Sequence, residues 1–276
     1  MHSNRKKQVN DSVERCRACG TKTDYLWQGQ LLNQAVGYFE CGKCRYVQTE
    51  EPHWLEQAYK EVINVSDTGV MARNIYNSRV VLATLAAMGS LDQTIVDGAG
   101  GYGILVRLLR DYGIDAYWQD LYCQNLVARG FEYLPDATQR ASLVVEFEVF
   151  EHFVQPDREI EELLLIAPNI LLSTLLIPDP TPEQNKWWYY GKEHGQHIGF
   201  FRKETLSFLA EKHGKYLLSI GQYHLLTENP VNNLLWKLLV ASNKVLPTLL
   251  RYRLKSKTWP DHIKSAKPDH HAMEEP

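Results

Sequence analysis

Apolar residues along the chain fall into short runs and longer, helically spaced stretches, and the two kinds alternate from residue 94 onward. The short runs predict strands at 94–97, 115–118, 131–133, 142–147 and 169–174. The longer stretches, with apolar residues three and four apart, predict helices at 102–112, 121–129, 157–166 and 203–213. This alternation is typical of βα units that build a parallel sheet.

Two further apolar runs, 216–220 and 223–227, are separated only by Gly221-Gln222 and predict a β-hairpin. An antiparallel hairpin after parallel strands differs from the all-parallel sheet of many dehydrogenases. We therefore expect an α/β fold with a doubly wound, mostly parallel, seven-stranded Rossmann-like sheet over residues 93–228.

The regions on either side of this sheet have their own patterns. Helical spacing at 53–62 and 72–88, stopped by Gly89, predicts a lead-in or lid over residues 51–92 that follows an N-terminal module at 1–50. Residues 229–276 are amphipathic and basic. This last segment is interpreted either as a helix docked on the domain with a solvated basic face or as a peripheral contact with an anionic membrane.

Composition narrows the class of protein. With 276 residues, 44% hydrophobic and 23% charged, the chain can bury a large core. A net charge of −3 gives no global reason to bind nucleic acid. No apolar stretch follows the polar residues 1–14, and the apolar region 163–177 is broken by Pro168 and Asn169, so we expect a cytoplasmic protein, with membrane association only through its C-terminal segment.

Four of the five cysteines lie between residues 16 and 44. Two Cys-x2-Cys pairs, Cys16 with Cys19 and Cys41 with Cys44, have the spacing of a zinc ribbon, in which four thiolates hold one structural Zn²⁺. The alternatives are four free thiols or two disulfides, and the missing secretory signal disfavours the disulfides because cytosolic thiols stay reduced. Cys123 is interpreted as a small packing residue.

A glycine-rich loop follows the first predicted strand of the sheet, at residues 97–103. From Gly98 it matches G-x-G-x-x-G, the dinucleotide pattern. Read from Asp97, it matches the pattern acidic-x-Gly-x-Gly-x-Gly, with Ala99 in place of the first glycine. Alanine is tolerated at that position if its φ is negative. A carboxylate at Asp97 repels a pyrophosphate but suits a cofactor that carries an ammonium and a sulfonium. Asp120 lies where ribose hydroxyls are held, unless both acids only cap helices.

From about Asp97 to Thr227 the sequence resembles the class I S-adenosylmethionine-dependent methyltransferases. The resemblance rests on the loop 97–103, on Glu146-Phe147-Glu148-Val149-Phe150-Glu151-His152, and on His197-Ile198-Gly199-Phe200-Phe201. The Glu-His segment is similar to ubiquinone-type O-methyltransferases and sugar methyltransferases, and the cysteine module to deoxysugar C-methyltransferases. The resemblance implies a Rossmann-like methyltransferase fold with an N-terminal zinc ribbon. It also implies that S-adenosylmethionine is held by Asp97, Ala99, Gly101, Gly103, Asp120, Glu146 and Phe147.

Acid–base chemistry at such a site needs a residue with a pKa near neutrality, and histidine supplies it. His152 follows the fourth strand at the carboxyl edge of the sheet, where these folds bind ligands, and Glu151 is placed to orient it or to act as a second acid–base group. The alternative is a buried histidine bonded to a backbone carbonyl. The loop at 178–195, after the next strand, is expected to wall the acceptor pocket with Trp187, Trp188, Tyr189 and Tyr190, unless these rings form a hydrophobic seal. His194 and His197 are secondary acid–base candidates. A lid over the cofactor is expected to include Asp67, Thr68, Gly69, Arg73 and Asn74.

The function we expect is methylation of a sugar or related small molecule in glycan or natural-product assembly, without a nucleic-acid partner. An RNA methyltransferase with a zinc module is the first alternative, disfavoured because residues 16–50 carry no basic patch. A nicotinamide-dependent oxidoreductase is the second, and a binding module without a cofactor is the third.

Overall fold

The computed structural model describes residues 14–59, 68–135 and 140–266. Its strands are β1 Thr23–Leu31, β2 Gln34–Cys41, β3 Val47–Thr49, β4 Thr94–Asp97, β5 Asp115–Trp118, β6 Leu143–Phe147, β7 Ile170–Ser173, β8 Gly199–Phe200, β9 Tyr216–Ile220 and β10 Tyr223–Thr227. Its helices are α1 Leu55–Ala58, α2 Val70–Met88, α3 Ile104–Tyr112, α4 Pro156–Ile166, α5 Lys203–Lys212, α6 Asn233–Ala241, α7 Leu246–Leu250 and α8 Thr258–Ala266.

The central sheet has six strands within the described residues, in the order β5-β4-β6-β7-β10-β9. The first four run parallel, and β10 runs antiparallel to both β7 and β9. The predicted mostly parallel sheet with a terminal hairpin is therefore confirmed. The predicted seventh strand, at 131–133, is reduced to a single parallel bridge between Trp118 and Glu132.

Backbone pairing at that edge is limited to Trp118 of β5. The Trp118 N–H donates to the Phe131 carbonyl at 2.8 Å, and the Tyr133 N–H donates to the Trp118 carbonyl at 2.7 Å. The Glu132 carboxylate accepts hydrogen bonds from the side-chain amide of Asn125 at 2.8 Å and from the backbone N–H of Gly130 at 3.0 Å. The seven-strand count is thus not reached in the part of the chain that the structure describes.

The predicted helix at 121–129 is wrong, because these residues form turns and bends. The Asp120 carboxylate accepts hydrogen bonds from the backbone N–H groups of Tyr122 and Cys123, and Asn125 accepts one from Ala128. Side chains of Asp and Asn that bond nearby amides compete with the helical hydrogen-bond pattern. The apolar spacing that predicted the helix therefore lies on an irregular loop.

Helices cover both faces of the sheet, as predicted for a doubly wound fold. Alternate residues of the strands, such as Ile95 and Val96 on β4, enter two separate buried cores. One core includes residues of α2, α3, α6 and α7, and the other residues of α4 and α5. Helix α2 ends as predicted at Gly89, which adopts a left-handed φ of 70° and closes the helix end. Of the predicted helix 53–62, the described part is α1, and residues 60–67 lie outside the described residues.

The cysteine-containing module forms a second sheet with the order β1-β2-β3-β8. Its fourth strand comes from far along the chain, since Val47 pairs with Phe200 and Gln48 with Gly199. Arg17 adds a link between the two parts, because its guanidinium donates a hydrogen bond to the carbonyl oxygen of Ile198 at 2.5 Å. The module at residues 1–50 is therefore completed by a strand of the main domain.

The C-terminal segment is docked on the domain. Trp236 on α6 is fully buried, and its indole N–H donates to the Thr84 hydroxyl at 3.0 Å. The Asp261 carboxylate on α8 accepts two hydrogen bonds from the buried Arg110 guanidinium, at 2.7 and 2.8 Å. None of the described helices combines the length and the hydropathy needed to cross a membrane.

Candidate active site

The loop at 97–103 links β4 to α3 at the carboxyl edge of the sheet. Gly101 and Gly103 adopt left-handed φ angles of 51° and 88°, a conformation that glycine accepts without strain. Ala99 lies outside the left-handed region, which is the condition its presence required. A side chain at Gly98 would collide with the Glu146 carboxylate. The loop can therefore approach a ligand with bare backbone at Gly101, where nothing lies within 4 Å of the point that a Cβ would occupy.

Three carboxylates gather behind this loop. Asp97 and Glu146 are buried, at 4% and 2% exposure, and Asp120 is partly buried. Burial, and then the charge of Asp120, raise the pKa of Asp97 to about 8. Burial, and then Asp97, raise the pKa of Glu146 well above its usual value. Because Glu146 Oε1 is also buried without a hydrogen-bond partner among the described residues, this cluster is suited to a cationic ligand.

Asp120 organises the loop, and it does not cap a helix. Its carboxylate accepts a hydrogen bond from the backbone N–H of Gly101 at 2.9 Å, besides those from Tyr122 and Cys123. The capping alternative is therefore wrong for Asp120, and the residue before α3 is Gly103. Trp118, which the sequence did not single out, locks the same loop, since its indole N–H donates to the Gly101 carbonyl at 2.8 Å.

A second cluster lies beyond the ends of β6 and β7. One ligand-capable atom from each of Glu151, His152 and His197 lies within 4.8 Å of the others. Glu151 is fully buried, and its Oε1 accepts a hydrogen bond from the Tyr189 hydroxyl at 2.7 Å. His197 ranked only as a secondary candidate in the sequence, yet it shares this cluster because the segment before β8 folds against the end of β6.

The hydrogen bond of His152 is not the one expected for a purely structural histidine, which would bond a backbone carbonyl. Its Nδ1 shares a hydrogen bond of 2.7 Å with the Tyr59 hydroxyl, where the alternative required a backbone carbonyl. Burial, followed by the neighbouring His197 and His194, lowers the pKa of His152 well below its usual value. Burial also lowers the pKa of His197 to about 4 and raises that of Glu151 to about 7. The imidazoles are therefore neutral near pH 7 and have a free lone pair for a proton or a metal ion.

The two clusters are connected through aromatic rings. Tyr59, bonded to His152, stacks on Tyr122 with centroids 6.3 Å apart, and the Tyr122 backbone is held by Asp120. Phe147, at the end of β6, packs edge-on against Tyr223. Sequence patterns cannot identify Tyr59, since its partners are 63 and 93 residues away.

Most of the aromatic residues expected to wall the acceptor pocket are buried or partly buried in the core. Tyr189 and Tyr190 are each 1% exposed, and only Trp188 of the four aromatic residues is strongly exposed, at 77%.

The residues predicted to form a lid have different surroundings. Gly69 and Arg73 line a cavity of about 620 Å³ between α2, the hairpin turn and α6, whereas the Asn74 amide bonds the backbone of its own helix. Asp67 lies outside the described residues.

The four N-terminal cysteines converge as their spacing predicts. All four sulfurs lie within 4.8 Å of one another, with Cys16 and Cys44 at 3.5 Å and Cys19 and Cys41 at 3.5 Å. These distances are far longer than a disulfide bond, so the disulfide alternative is wrong. A hydrogen bond from the Cys44 thiol, and amides of the turn at residues 18–19, lower the pKa of Cys16 to about 6. Cys123 is partly exposed, and burial raises its pKa to about 11, which disfavours a nucleophilic thiolate.

Comparison with known proteins settles the class. A family model described as "Methyltransferase domain" matches residues 72–220, which is more than half of the chain and spans both clusters at the sheet edge. The chain belongs to the methyltransferase domain family. It is an S-adenosylmethionine-dependent methyltransferase, and the oxidoreductase interpretation of Gly98 is not supported. A search of curated protein sequences finds no match.

Solved structures similar to this methyltransferase include other methyltransferases. Magnesium protoporphyrin IX methyltransferase from Synechocystis PCC 6803, with bound S-adenosylhomocysteine, has a TM-score of 0.42 and 17% identity over 62% of this chain and 90% of that one. An O-methyltransferase family protein from Burkholderia thailandensis has a TM-score of 0.42 and 17% identity over 63% and 66%. A methyltransferase of calicheamicin biosynthesis has a TM-score of 0.37 and 12% identity over 56% and 54%.

The buried Asp97 leads to a pH prediction for this methyltransferase. With a pKa near 8, Asp97 is mostly protonated at pH 7 in the free enzyme, and a bound ammonium favours its ionised form. Binding of S-adenosylhomocysteine should therefore release a proton, and its affinity should rise from pH 6 to pH 7.5, by up to about tenfold per pH unit. Calorimetry at pH 7 in two buffers of different ionisation enthalpy measures the released protons.

An Asp97→Asn variant should bind S-adenosylhomocysteine about 10- to 100-fold more weakly and lose most of the proton release. Asp92→Ala, which removes an exposed acid just before β4, is the matched control and should behave as the wild type. Affinity that does not change with pH in the wild-type enzyme would contradict this role of Asp97.

Proposed function

We propose that this methyltransferase transfers the methyl group of S-adenosylmethionine to a sugar or related small molecule in glycan or natural-product assembly. The observation that carries the proposal is the position of a cation-suited acid cluster beside a Glu-His cluster at one edge of the sheet. The cavity of about 620 Å³ beside the start of α2 has the size of a small-molecule site, but none of its lining residues belongs to either cluster. Exposed Trp188 and partly buried Tyr59 offer rings on which a sugar can stack.

Each group at the cofactor side has a proposed task. Asp97 and Glu146 bind the ammonium end of the cofactor, and the lone pairs that Asp120 has left accept hydrogen bonds from the ribose hydroxyls. The backbone at Ala99, Gly101 and Gly103 allows close approach, and Phe147 packs beside the cofactor. The cofactor supplies a methyl group on a good leaving group, so the protein mainly has to hold the acceptor in line with it.

The acceptor side prepares the nucleophile. His152 is neutral and partly exposed, so it can take a proton from an acceptor hydroxyl or acidic carbon. Its lowered pKa makes it a weaker base than a free imidazole, and Glu151, with a pKa of about 7, is the group that meets the expected match to neutral pH. Glu151, held by Tyr189, is the second acid–base group of this pair, and the residue that orients His152 is Tyr59. A general base of this kind contributes about 10²- to 10⁴-fold to the rate.

Ligand titration tests the cofactor assignment. S-adenosylhomocysteine should bind and NAD should not, and binding of NAD alone would overturn the proposal. Weaker binding by an Asp120→Ala variant would not by itself identify a ribose contact, because the substitution also frees three loop amides that Asp120 holds. A second ligand that lacks the ribose hydroxyl separates the two effects. If Asp120 bonds the ribose, removing the 2′-hydroxyl of S-adenosylhomocysteine should weaken binding about tenfold in the wild type but not in the variant. Equal losses in both would refute the ribose contact.

The cysteine cluster is proposed to hold one structural Zn²⁺. At a Zn–S distance of about 2.3 Å, a tetrahedron separates neighbouring sulfurs by about 3.8 Å, close to the separations in the cluster. Backbone amides of residues 18–19 and 43–44 bond the sulfurs of Cys16 and Cys41, as thiolate ligands require. Four protein thiolates leave no open position, so this metal would have no catalytic role.

We expect one zinc per chain, released when the thiols are titrated with a mercurial reagent. Cys41→Ser should lose this zinc and melt at a lower temperature, because folding of such modules depends on the metal. Cys123→Ser should keep the zinc, since Cys123 lies outside the cluster. Purified wild-type protein that contains no thiol-bound zinc would contradict the assignment.

The C-terminal segment is proposed to contact an anionic membrane. Leu234, Leu235 and Leu238 project from α6 at 68%, 43% and 56% exposure, and Leu249, Trp259 and Ile263 are exposed on the following helices. Exposed basic side chains accompany them: Lys237, Lys244, Arg251, Arg253, Lys255 and Lys264. Such a surface combines apolar insertion with attraction to anionic headgroups. Val240 and Ala241 of α6 also line the cavity, so docking would bring that cavity to the lipid surface.

Sedimentation with vesicles tests this contact. The protein should sediment with vesicles of phosphatidylcholine containing about one-third phosphatidylserine, and both Leu234→Ser and Lys237→Glu should reduce the bound fraction. Leu165→Ser is the matched control, since Leu165 is 82% exposed on α4 and outside this surface. Binding to RNA that depends on Lys237 but not on Leu234 would contradict the membrane proposal in favour of a nucleic-acid surface.

A further inference from the structure

We propose that Glu151, His152 and His197 form a second metal site, which takes a divalent transition-metal ion and is separate from the cysteine cluster. The inference rests on the proposed function, because the site would act on the methyl acceptor. Its three ligand atoms already lie within 4.8 Å of one another, and the three residues come from two segments 45 residues apart that meet at the sheet edge.

The orientation of His197 is that of a metal ligand. Its Nδ1 lies 2.6 Å from the carbonyl oxygen of Tyr189, and because a carbonyl only accepts, Nδ1 carries the hydrogen. The other nitrogen, Nε2, therefore has a free lone pair, and it lies 4.0 Å from Glu151 Oε1. Two ligands of one ion at about 2.1 Å are separated by roughly 3 to 3.5 Å, so a movement of about 1 Å completes this pair.

Glu151 contributes the second observation. Its side chain has no exposure, and Oε2 has no hydrogen-bond partner among the described residues, although the Thr174 hydroxyl lies near enough to interact with the carboxylate. A buried carboxylate oxygen is seldom left without a donor or a cation. A bound metal ion would supply that interaction.

Tyr189 supports two of the three ligands at once. Its hydroxyl donates to Glu151 Oε1 at 2.7 Å, and its carbonyl fixes the tautomer of His197. Hydrogen bonds to the far side of ligands are the usual support of metal sites in proteins. Nε2 of His152 is the metal-binding nitrogen in the tautomer whose Nδ1 donates its hydrogen to the Tyr59 hydroxyl, 2.7 Å away.

The ligand set selects the class of ion. Two imidazoles and one carboxylate suit Zn²⁺, Fe²⁺, Co²⁺ or Mn²⁺, whereas Mg²⁺ and Ca²⁺ prefer oxygen ligands throughout. Three protein ligands leave a position for an oxygen of the acceptor. Both histidines are partly exposed, so this position faces accessible space.

The chemistry of the loaded site follows from that open position. Coordination lowers the pKa of an acceptor hydroxyl, whose proton passes to solvent. The resulting oxygen forms a bond to the methyl carbon, the carbon–sulfur bond breaks with its electron pair left on sulfur, and S-adenosylhomocysteine is the other product. In this state His152 is a ligand, and the cation takes over the activation of the acceptor that the free imidazole performs in the metal-free enzyme.

Addition of Co²⁺ to full-length protein that carries a single equivalent of zinc, held by the cysteine cluster, tests the site by absorption spectroscopy. The wild type should show visible d–d bands of one equivalent of Co²⁺ without the thiolate-to-cobalt charge-transfer band of a cysteine site. Glu151→Gln keeps the size of the side chain and an acceptor for Tyr189, and both it and His197→Ala should weaken Co²⁺ binding at least tenfold. His213→Ala, which alters a histidine paired with Asp157 outside the cluster, should leave it unchanged.

Binding of S-adenosylhomocysteine is measured on the same samples and distinguishes this inference from the proposed function. Retained cofactor binding in the wild type and the variants, together with no saturable Co²⁺ spectrum or only a thiolate spectrum, would overturn the metal site and leave the proposed function standing. A Co²⁺ spectrum that persists in Glu151→Gln and His197→Ala would also overturn it. A wild-type enzyme that binds Co²⁺ but not S-adenosylhomocysteine would refute the proposed function.

Discussion

The pairing of β3 with β8 is the interaction on which the Glu-His cluster of this methyltransferase depends. It consists of only two residue pairs, Val47 with Phe200 and Gln48 with Gly199, but it joins the cysteine module to the segment that carries His197. Two further backbone hydrogen bonds link the module to the Glu-His cluster. The Thr49 N–H donates to the Ile198 carbonyl, and the Ile198 N–H donates to the Glu151 carbonyl. The module thereby sets the position of two members of the Glu-His cluster.

Glycine at position 199 is a condition of that pairing. The Tyr46 hydroxyl occupies the space that a Cβ would need there, so any side chain at 199 would separate the strands. Thr205, at the start of α5, adds a bond from its hydroxyl to the Cys44 carbonyl at 2.8 Å. The cysteine cluster and the Glu-His cluster are consequently parts of one packed unit. A change that unfolds the cysteine cluster should therefore also displace residues of the Glu-His cluster.

Burial sets the electrostatics of both clusters, and it acts in opposite directions on acids and imidazoles. It raises the pKa of Asp97, Glu146 and Glu151 and lowers that of His152 and His197, so all five groups are shifted toward their neutral forms. A bound cation stabilises the ionised form of such buried acids. A proton or a metal ion can bind the lone pair of a neutral imidazole. These shifts match the proposed binding of the methyl donor at the acids and of the acceptor at the Glu-His cluster.

The C-terminal helices are fixed by a different interaction, the buried ion pair of Arg110 and Asp261. Arg107 donates a further bond to the same carboxylate at 2.7 Å, so α8 is held against α3 by one acid. This attachment uses Asp261, the single acid of residues 231–267, and leaves leucines and lysines of the segment exposed. Docking on the domain and contact with a membrane are therefore compatible properties of one segment.

Local patterns in the sequence determined the strands β4, β5, β9 and β10 to the residue, the course of α2 to Gly89, the convergence of the cysteines and the conformation of the 97–103 loop. These features depend on the alternation of side chains along one element or on the steric freedom of single glycines, which are written in neighbouring residues. The helix predicted at 121–129 does not form, since the side chains of Asp120 and Asn125 bond nearby backbone amides in place of the helical pattern. Only the tertiary structure placed His197 beside Glu151, gave His152 its Tyr59 partner and completed the module's sheet with β8. Each of these contacts joins residues from 46 to more than 150 positions apart, and the packing of separate elements, which no periodicity records, decides which of them meet.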